Sequence, residues 1–263
     1  MSEAGKMILA LDVGNTSIAF GGMRDGQAVF RAKLGVNKMR TPDEYAIMLK
    51  LAVEARGANL GEISGSIISC VVPELTSVVA EAVRIVIGGT PLIIGPGVKT
   101  GLNIKIDDPN ELGGDFVAAA VASVQDYALP CVMVHMGTAT ALSVLDSSGN
   151  YLGGAICPGV MTSQTALAAQ TSKLKYVSLE KPARFIGRST EESLKSGIVT
   201  GTAAMLDGLI ARFEEELGKI ETVVATGEWA HVIVPECRRK GMIIDEDLLL
   251  RGLYIIYAKN RKI

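Results

Sequence analysis

Two short glycine turns hold the residues of this sequence that are best suited to chemistry. In the first, an apolar stretch at 7–11 runs into Asp12-Val13-Gly14-Asn15-Thr16. Backbone N–H groups in such a turn can cradle phosphate oxygens, and a carboxylate beside it can hold Mg²⁺ through water. An ordinary hairpin turn, in which the Asp side chain binds its own backbone, has the same composition. Taken alone, the first turn leaves both interpretations open.

The same pattern returns in the second half of the chain. The apolar stretch 131–134 leads into His135-Met136-Gly137-Thr138, and strand-like segments follow at 141–145 and 151–156. Gly14 and Gly137 lie 123 positions apart. An internal repeat this specific indicates two related domains, and two such turns facing each other would clamp a phosphate chain.

Asp115 is the third candidate, behind Gly113 and Gly114 and in front of an alanine-rich helix at 117–124. An Asp in that place caps a helix well. A carboxylate held at the edge of a cleft can also accept the proton of a substrate hydroxyl. The residue chemistry alone favours the cap.

The elements that must position these residues alternate between strands and helices, which predicts an α/β fold. Thr41 and Glu44 form a capping-box pattern, and Thr190 begins a second one for a helix at 191–217 that is interrupted at Gly201. The stretch 245–247 is predicted to cap a last helix. We place the domain boundary between 124 and 125, giving domains 1–124 and 125–263.

Composition excludes several classes of function. The chain has 263 residues, 48% hydrophobic and 21% charged, a net charge of −2 and only 5% aromatic residues, so a nucleic-acid partner is not expected. The four cysteines lack CxxC spacing, which gives no support to zinc or a disulfide framework. No run of 18 apolar residues predicts a membrane span, and the expected location is the cytoplasm.

The two glycine turns resemble the ATP-binding turns of actin, sugar kinases and heat-shock chaperones. Within that superfamily, the chain is similar to the type III pantothenate kinases (the Baf type) over nearly its whole length. The matching segments, in order, are Asp12-Val13-Gly14-Asn15-Thr16, Gly95-Pro96-Gly97-Val98-Lys99-Thr100-Gly101-Leu102, Glu111-Leu112-Gly113-Gly114-Asp115, Gly137-Thr138-Ala139-Thr140, Gly153-Gly154-Ala155-Ile156-Cys157-Pro158-Gly159 and Ile186-Gly187-Arg188-Ser189-Thr190.

The resemblance implies two ribonuclease-H-like domains with mixed sheets flanked by helices, and ATP-dependent phosphorylation of pantothenate, the first step of coenzyme A synthesis. It also implies a homodimer that uses Mg²⁺ and a monovalent cation (K⁺ or NH₄⁺). Asp115 would be the catalytic base, and Asp12 would hold Mg²⁺ through water. The implied ATP-binding residues are Asp12, Val13, Gly14, Asn15, Thr16, Ser17, Ile18, Ala19 and Thr138. The implied substrate-binding residues are Ile106, Gly113, Gly114, Asp115, Phe116 and Thr190.

Four positions depart from the family pattern, all at the implied site. Phe116 stands in place of an arginine and Ile106 in place of a tyrosine that contacts the substrate. His135 replaces the aspartate that holds the monovalent cation, and Glu228 replaces a glycine near the nucleotide. Loss of an arginine–anion hydrogen bond costs roughly 1.5–3 kcal/mol.

Neutral imidazole is a poor ligand for a hard monovalent cation. A protonated His135 would instead supply positive charge itself and remove the cation requirement, whereas a core histidine at a strand end is an equally open interpretation. Three functions therefore remain: a pantothenate kinase with a remodelled pocket, a kinase for another small alcohol, and a non-catalytic nucleotide-binding regulator.

Overall fold

The computed structural model describes residues 5–261, and these form two compact units. The first unit contains 5–102, 107–125 and 247–261, and the second contains 103–106 and 126–246. The main change between the units thus falls at 125/126, beside the predicted boundary, whereas the final helix belongs to the first unit. The division into two domains at 124/125 stays a prediction.

The first unit is built on a mixed five-stranded sheet in the order β3-β2-β1-β4-β5. The strands are β1 (Met7–Val13), β2 (Ser17–Arg24), β3 (Gln27–Gly35), β4 (Ile63–Cys70) and β5 (Leu92–Ile93). β1 pairs antiparallel with β2 and parallel with β4. Because β1 is central, its residues are buried on both faces, while the edge strand β3 alternates between exposed and covered side chains.

The helices of this unit are α1 (Pro42–Ala55), α2 (Pro73–Ile87), α3 (Gly114–Asp126) and α8 (Leu248–Asn260). The predicted capping box at Thr41 is confirmed, since the Thr41 side chain accepts from the Glu44 N–H and the Glu44 carboxylate accepts from the Thr41 N–H. The fully buried Phe20, Tyr45 and Leu49 belong to the core on one side of the sheet.

The start of α8 differs from the prediction. Asp247 occupies the capping position, but its side chain makes no capping hydrogen bond. Its carboxylate instead forms a bidentate ion pair with the guanidinium of Arg31 on β3. Asp245 accepts a hydrogen bond from the Tyr127 hydroxyl at 2.7 Å. These acids therefore serve tertiary contacts rather than the helix end.

The second unit repeats the first, with a mixed sheet in the order β10-β9-β6-β7-β8. Its strands are β6 (Cys131–Met136), β7 (Ala139–Leu145), β8 (Tyr151–Pro158), β9 (Thr222–Thr226) and β10 (Ile243–Ile244). β6 pairs antiparallel with β7 and parallel with β9, as β1 does with β2 and β4. The predicted duplication and the α/β class with mixed sheets are confirmed.

The helices of the second unit are α4 (Val160–Gln170), α5 (Thr190–Lys195), α6 (Gly201–Leu217) and α7 (Ala230–Ile233). A π-helical segment, Ser196–Thr200, separates α5 from α6. The predicted interruption thus lies immediately before Gly201. The capping residue of α5 is Ser189, whose hydroxyl accepts from the Glu192 N–H at 3.2 Å. The prediction of a capping box beginning at Thr190 is wrong by one position.

Within residues 5–261, no helix is both long enough and apolar enough to span a bilayer.

Candidate functional site

The first glycine turn joins β1 to β2 through residues 14–16. The Gly14 N–H donates to the Ser17 carbonyl at 2.9 Å, and the Val36 N–H donates to the Thr16 carbonyl at 3.0 Å. Asn15 and Thr16 are exposed at the tip. The turn therefore presents polar groups to solvent directly after a buried strand, as a phosphate-binding turn must.

Asp12 lies beside this turn, and its pKa is the most strongly shifted among the described carboxylates of the first unit. The residue is half-buried, but its Oδ1 atom is completely buried. The pKa of Asp12 is raised to about 7, chiefly because burial penalises the ionised carboxylate. The charge of Asp115 adds to the rise, and the Ser69 hydroxyl opposes it. A bound cation would reverse the effect of burial by stabilising the charged form.

Asp115 reaches Asp12 because the N-terminus of α3 packs tightly on the first sheet. A Cβ on Gly114 would lie 3.1 Å from both the Ser69 hydroxyl and a methyl of Ile94, so only glycine fits without displacement. The carboxylate of Asp115 folds back over Gly113. The two glycines thus permit the approach that brings two carboxylates within electrostatic reach.

The expectation that Asp115 caps this helix is wrong. α3 begins at Gly114, and the Gly113 carbonyl accepts the first helical hydrogen bond, from the Val117 N–H at 3.1 Å. Asp115 therefore lies inside the first turn, where its negative charge still favours the helix. Phe116 follows it and is half-buried.

The second glycine turn, residues 137–138, joins β6 to β7 and is braced more closely. The Gly137 N–H donates to the Ala139 carbonyl at 3.0 Å, and the Thr162 hydroxyl donates to the Thr138 carbonyl at 2.6 Å. Gly159, which precedes α4, lies so close to the carbonyls of this turn that a side chain would overlap them. The Thr138 side chain remains exposed.

His135 occupies in β6 the place that Asp12 holds in β1. It is half-buried, and its Nε2 atom lies 3.5 Å from where a Cβ on Gly137 would be. Gly227, after β9, has φ +98° and packs against the backbone of Met136, which requires glycine. Glu228, next to it, is exposed.

Ile106 and Thr190 lie elsewhere in the second unit. Ile106 belongs to the stretch 103–106, which runs beside β8, and its Cγ2 lies 3.5 Å from a Cβ built on Gly153. Thr190 is the first residue of α5 and lines a cavity of about 580 Å³ with Arg188, Ser193 and other residues.

Among residues 5–261, no three His, Cys, Asp or Glu side chains gather into a metal cluster. Mg²⁺ does not require one, because it is usually held by one or two carboxylates, several waters and substrate phosphates. Asp12, with its buried Oδ1 atom, and Asp115 suit that mode. His135 does not suit a hard monovalent cation, since imidazole is a poor ligand for one.

Sequence reasoning missed Ser69. A serine inside the apolar strand 63–70 carries no motif, and only its pairing with Asp12 across β4 and β1 reveals it. That pairing depends on long-range register, for which the local sequence gives no signal.

Comparison with known proteins gives a consistent result. Residues 8–212 match the family model described as type III pantothenate kinase. A type III pantothenate kinase from Moorella thermoacetica is 39% identical over 97% of this chain and 100% of its own length. Another from Bacillus cytotoxicus is 36% identical over 97% of each chain.

Solved structures agree in fold. A protein from Campylobacter jejuni described as a Baf family transcriptional activator has a TM-score of 0.63 at 17% identity, over 96% of this chain and 98% of its own. A ROK family glucokinase from Streptomyces griseus has a TM-score of 0.54 at 11% identity, over 96% of this chain and 98% of its own length. The predicted duplicated fold of the actin and sugar-kinase type is confirmed.

Proposed function

This chain belongs to the type III pantothenate kinase family, and we propose from that premise that it transfers the γ-phosphate of ATP to the hydroxyl of pantothenate. The products are 4′-phosphopantothenate and ADP. The observation that carries the proposal is the full-length similarity to pantothenate kinases, together with the retained pair Asp12 and Asp115 beside one glycine turn.

Asp115 is the proposed base. Its carboxylate accepts the proton of the pantothenate hydroxyl while the hydroxyl oxygen bonds to the γ-phosphorus of ATP. The bond from that phosphorus to the bridging oxygen breaks, and ADP leaves with the electron pair. In phosphoryl transfer most of the acceleration comes from positioning and charge neutralisation, so a single carboxylate suffices as base.

The phosphates are assigned to the first turn and its neighbours. Residues 12–19 would hold the phosphate chain through backbone N–H groups and the exposed Asn15 and Thr16. Asp12 would hold Mg²⁺ through water, and bound Mg²⁺ would neutralise charge on the phosphates. Thr138, exposed on the second turn, is the proposed contact of that turn with ATP.

The acceptor is assigned to Gly113, Gly114, Phe116, Ile106 and Thr190. Phe116 and Ile106 replace an arginine and a tyrosine of the family pattern, and neither side chain can form an ion pair or a hydrogen bond with the carboxylate of pantothenate. We therefore expect a higher KM for pantothenate than an arginine-bearing relative would have.

The same two residues favour a second candidate, phosphorylation of a less polar small alcohol. Such an acceptor would gain from contact with Phe116 and Ile106 and would not need an anion partner. It would use the same ATP site and the same base.

Assembly and location follow from the family as proposals. We propose a homodimer in the cytoplasm, with Mg²⁺ required and with His135 replacing the K⁺ or NH₄⁺ site. Positive charge on His135 would then stand where the family places a bound cation.

The test is product formation by purified protein with ATP, Mg²⁺ and pantothenate, followed by ³¹P NMR and mass spectrometry. Asp115→Asn keeps the size of the side chain and removes the base, so the rate should fall by about 10²–10⁴-fold. Asp43→Asn, which changes an exposed acid in the first turn of α1, is the matched control and should leave the rate unchanged.

Activity that survives Asp115→Asn would refute the assignment of the base. No transfer to pantothenate, with transfer to a less polar alcohol, would replace the first candidate by the second. ATP binding without transfer to any alcohol would favour the non-catalytic regulator.

A further inference from the structure

A buried hydroxyl stands next to Asp12 on the neighbouring strand. Ser69 on β4 is in register with Asp12 on β1, and the two strands are parallel. Side chains in register on adjacent strands project from the same face of the sheet. Ser69 is 0% exposed. Within the described part of the chain, neither its Oγ atom nor Oδ1 of Asp12 has a hydrogen-bond partner other than the facing Ser69–Asp12 pair, in which the Ser69 hydroxyl lowers the pKa of Asp12.

The surroundings of Ser69 belong to the same corner of the first unit. Gly114, the first residue of α3, lies so near that a Cβ on it would be 3.1 Å from Ser69 Oγ. Asp115 follows directly, and its charge acts on Asp12. Buried polar atoms in proteins are nearly always hydrogen-bonded. With only each other as partners in the described chain, the Ser69 hydroxyl and the Asp12 carboxylate keep acceptor lone pairs that a polar ligand can use.

The second unit repeats this arrangement. Thr226 on β9 is buried and in register with His135 on β6, as Ser69 is with Asp12. The residue at the strand end differs between the units, but a hydroxyl stands beside it in both. A hydroxyl retained at this register position is more consistent with a role at the strand end than with chance packing.

We propose that Ser69 is a positioning residue for Asp12. This rests on the proposed function: the Ser69 hydroxyl donates to the Asp12 carboxylate and fixes its direction, and that carboxylate would hold the water shell of the Mg²⁺ that accompanies the nucleotide. Ser69 touches neither pantothenate nor the transferred phosphoryl group; it acts by fixing the direction of the carboxylate.

The test measures binding rather than turnover. The affinity for ADP is measured by calorimetry in the presence of Mg²⁺ and again in EDTA. The ratio of the affinity in Mg²⁺ to the affinity in EDTA gives the contribution of the metal. For Ser69→Ala this ratio should fall by about 10- to 100-fold, as is typical when a partner of a metal ligand is removed. Cysteine is similar in size to serine but is a weaker hydrogen-bond donor. The affinity ratio of Ser69→Cys should therefore lie between those of Ser69→Ala and the unchanged protein.

Ser66→Ala is the matched control. Ser66 lies on the same strand, is 2% exposed and also has a buried hydroxyl without a hydrogen-bond partner in the described chain. It is three residues from Ser69 and so faces the other side of the sheet. The metal contribution should be unchanged in Ser66→Ala, and thermal unfolding should show that all variants are folded.

Kinetics supply a second readout. The Mg²⁺ concentration that gives half-maximal rate should rise in Ser69→Ala, while KM for pantothenate stays constant. An equal metal contribution in Ser69→Ala and Ser66→Ala, or a change confined to KM for pantothenate, would overturn the role of Ser69. An unchanged protein that binds no ADP in either buffer would instead overturn the proposed function, and the inference with it.

Discussion

The two glycine turns occupy equivalent places in a duplicated fold but offer different chemistry. The turn after β1 has three residues and an open tip, and Asp12 stands beside it. The turn after β6 has two residues, is braced by Gly159 and Thr162, and has His135 in the corresponding place. The sheet order fixes where the strand-end residue lies, whereas its side chain decides which ligand that place can bind.

The largest expected effect concerns the acid at the first turn. In the absence of metal and nucleotide, the pKa of Asp12 is raised from 3.8 to about 7. Between pH 4 and 7 the unfolded chain ionises Asp12 while the folded protein keeps its proton. Stability therefore falls as pH rises through this window, by up to about 4 kcal/mol for a shift of roughly three units.

Asp12→Asn should remove that contribution. Urea unfolding at intervals from pH 4 to 8 gives the difference in stability between the two proteins, and that difference should grow in favour of Asp12→Asn with rising pH. The difference between the two proteins is used because other carboxylates also change stability with pH. The pKa values of Glu44, Glu74 and Asp146 are lowered in the folded protein, so these groups make stability rise with pH at low pH, and they do so equally in both proteins. A flat difference curve would contradict the burial argument.

The next effect tests how tightly each turn is packed. Gly159→Ala would drive a methyl into the carbonyls of the second turn, whereas Gly14→Ala places one 3.3 Å from the Ser17 carbonyl. Overpacking typically costs about 1–3 kcal/mol, so Gly159→Ala should lower Tm by several degrees at roughly 2–4 °C per kcal/mol.

Calorimetric scans of both variants compare the turns directly. Gly14→Ala should change Tm by less than half as much as Gly159→Ala. If the two variants lost equal stability, the first turn would be as closely braced as the second.

The smallest effect concerns His135, under the hypothesis that its positive charge replaces a bound monovalent cation. The unchanged protein should then turn over equally well in Na⁺ and K⁺. His135→Asp should restore the family's ligand and make the rate respond to K⁺ by about fivefold, which is roughly 1 kcal/mol. Rates of the unchanged protein that depend on added K⁺ would refute the hypothesis.

Local sequence was sufficient to predict the capping box at the start of α1 and the two strand–turn–strand segments. The capping box at Thr41 involves residues three apart, and the repeat around Gly14 and Gly137 is visible as spacing. The capping box and each copy of the turn are encoded in neighbouring residues, and the repeat is seen by comparing the two copies, so no tertiary information was needed.

The cap of α5 is Ser189 rather than Thr190, a local pattern that was placed one residue too late. Long-range packing decided the other differences, because Asp247 pairs with Arg31, which is 216 positions away. α8 belongs to the first unit, where Gly252 packs against the Ala118 backbone. The importance of Ser69 depends on the register of two strands, a property of the folded sheet.

In our proposal the first turn holds the metal and most of the phosphate contacts, whereas the second turn contributes only the contact of Thr138 with ATP. The most direct test is the rate of 4′-phosphopantothenate formation at saturating substrates for Asp12→Asn and His135→Asn. We expect the rate to fall by about 100-fold or more for Asp12→Asn, because a main electrostatic element is removed, and by at most about tenfold for His135→Asn. A larger loss for His135→Asn than for Asp12→Asn would contradict the proposal.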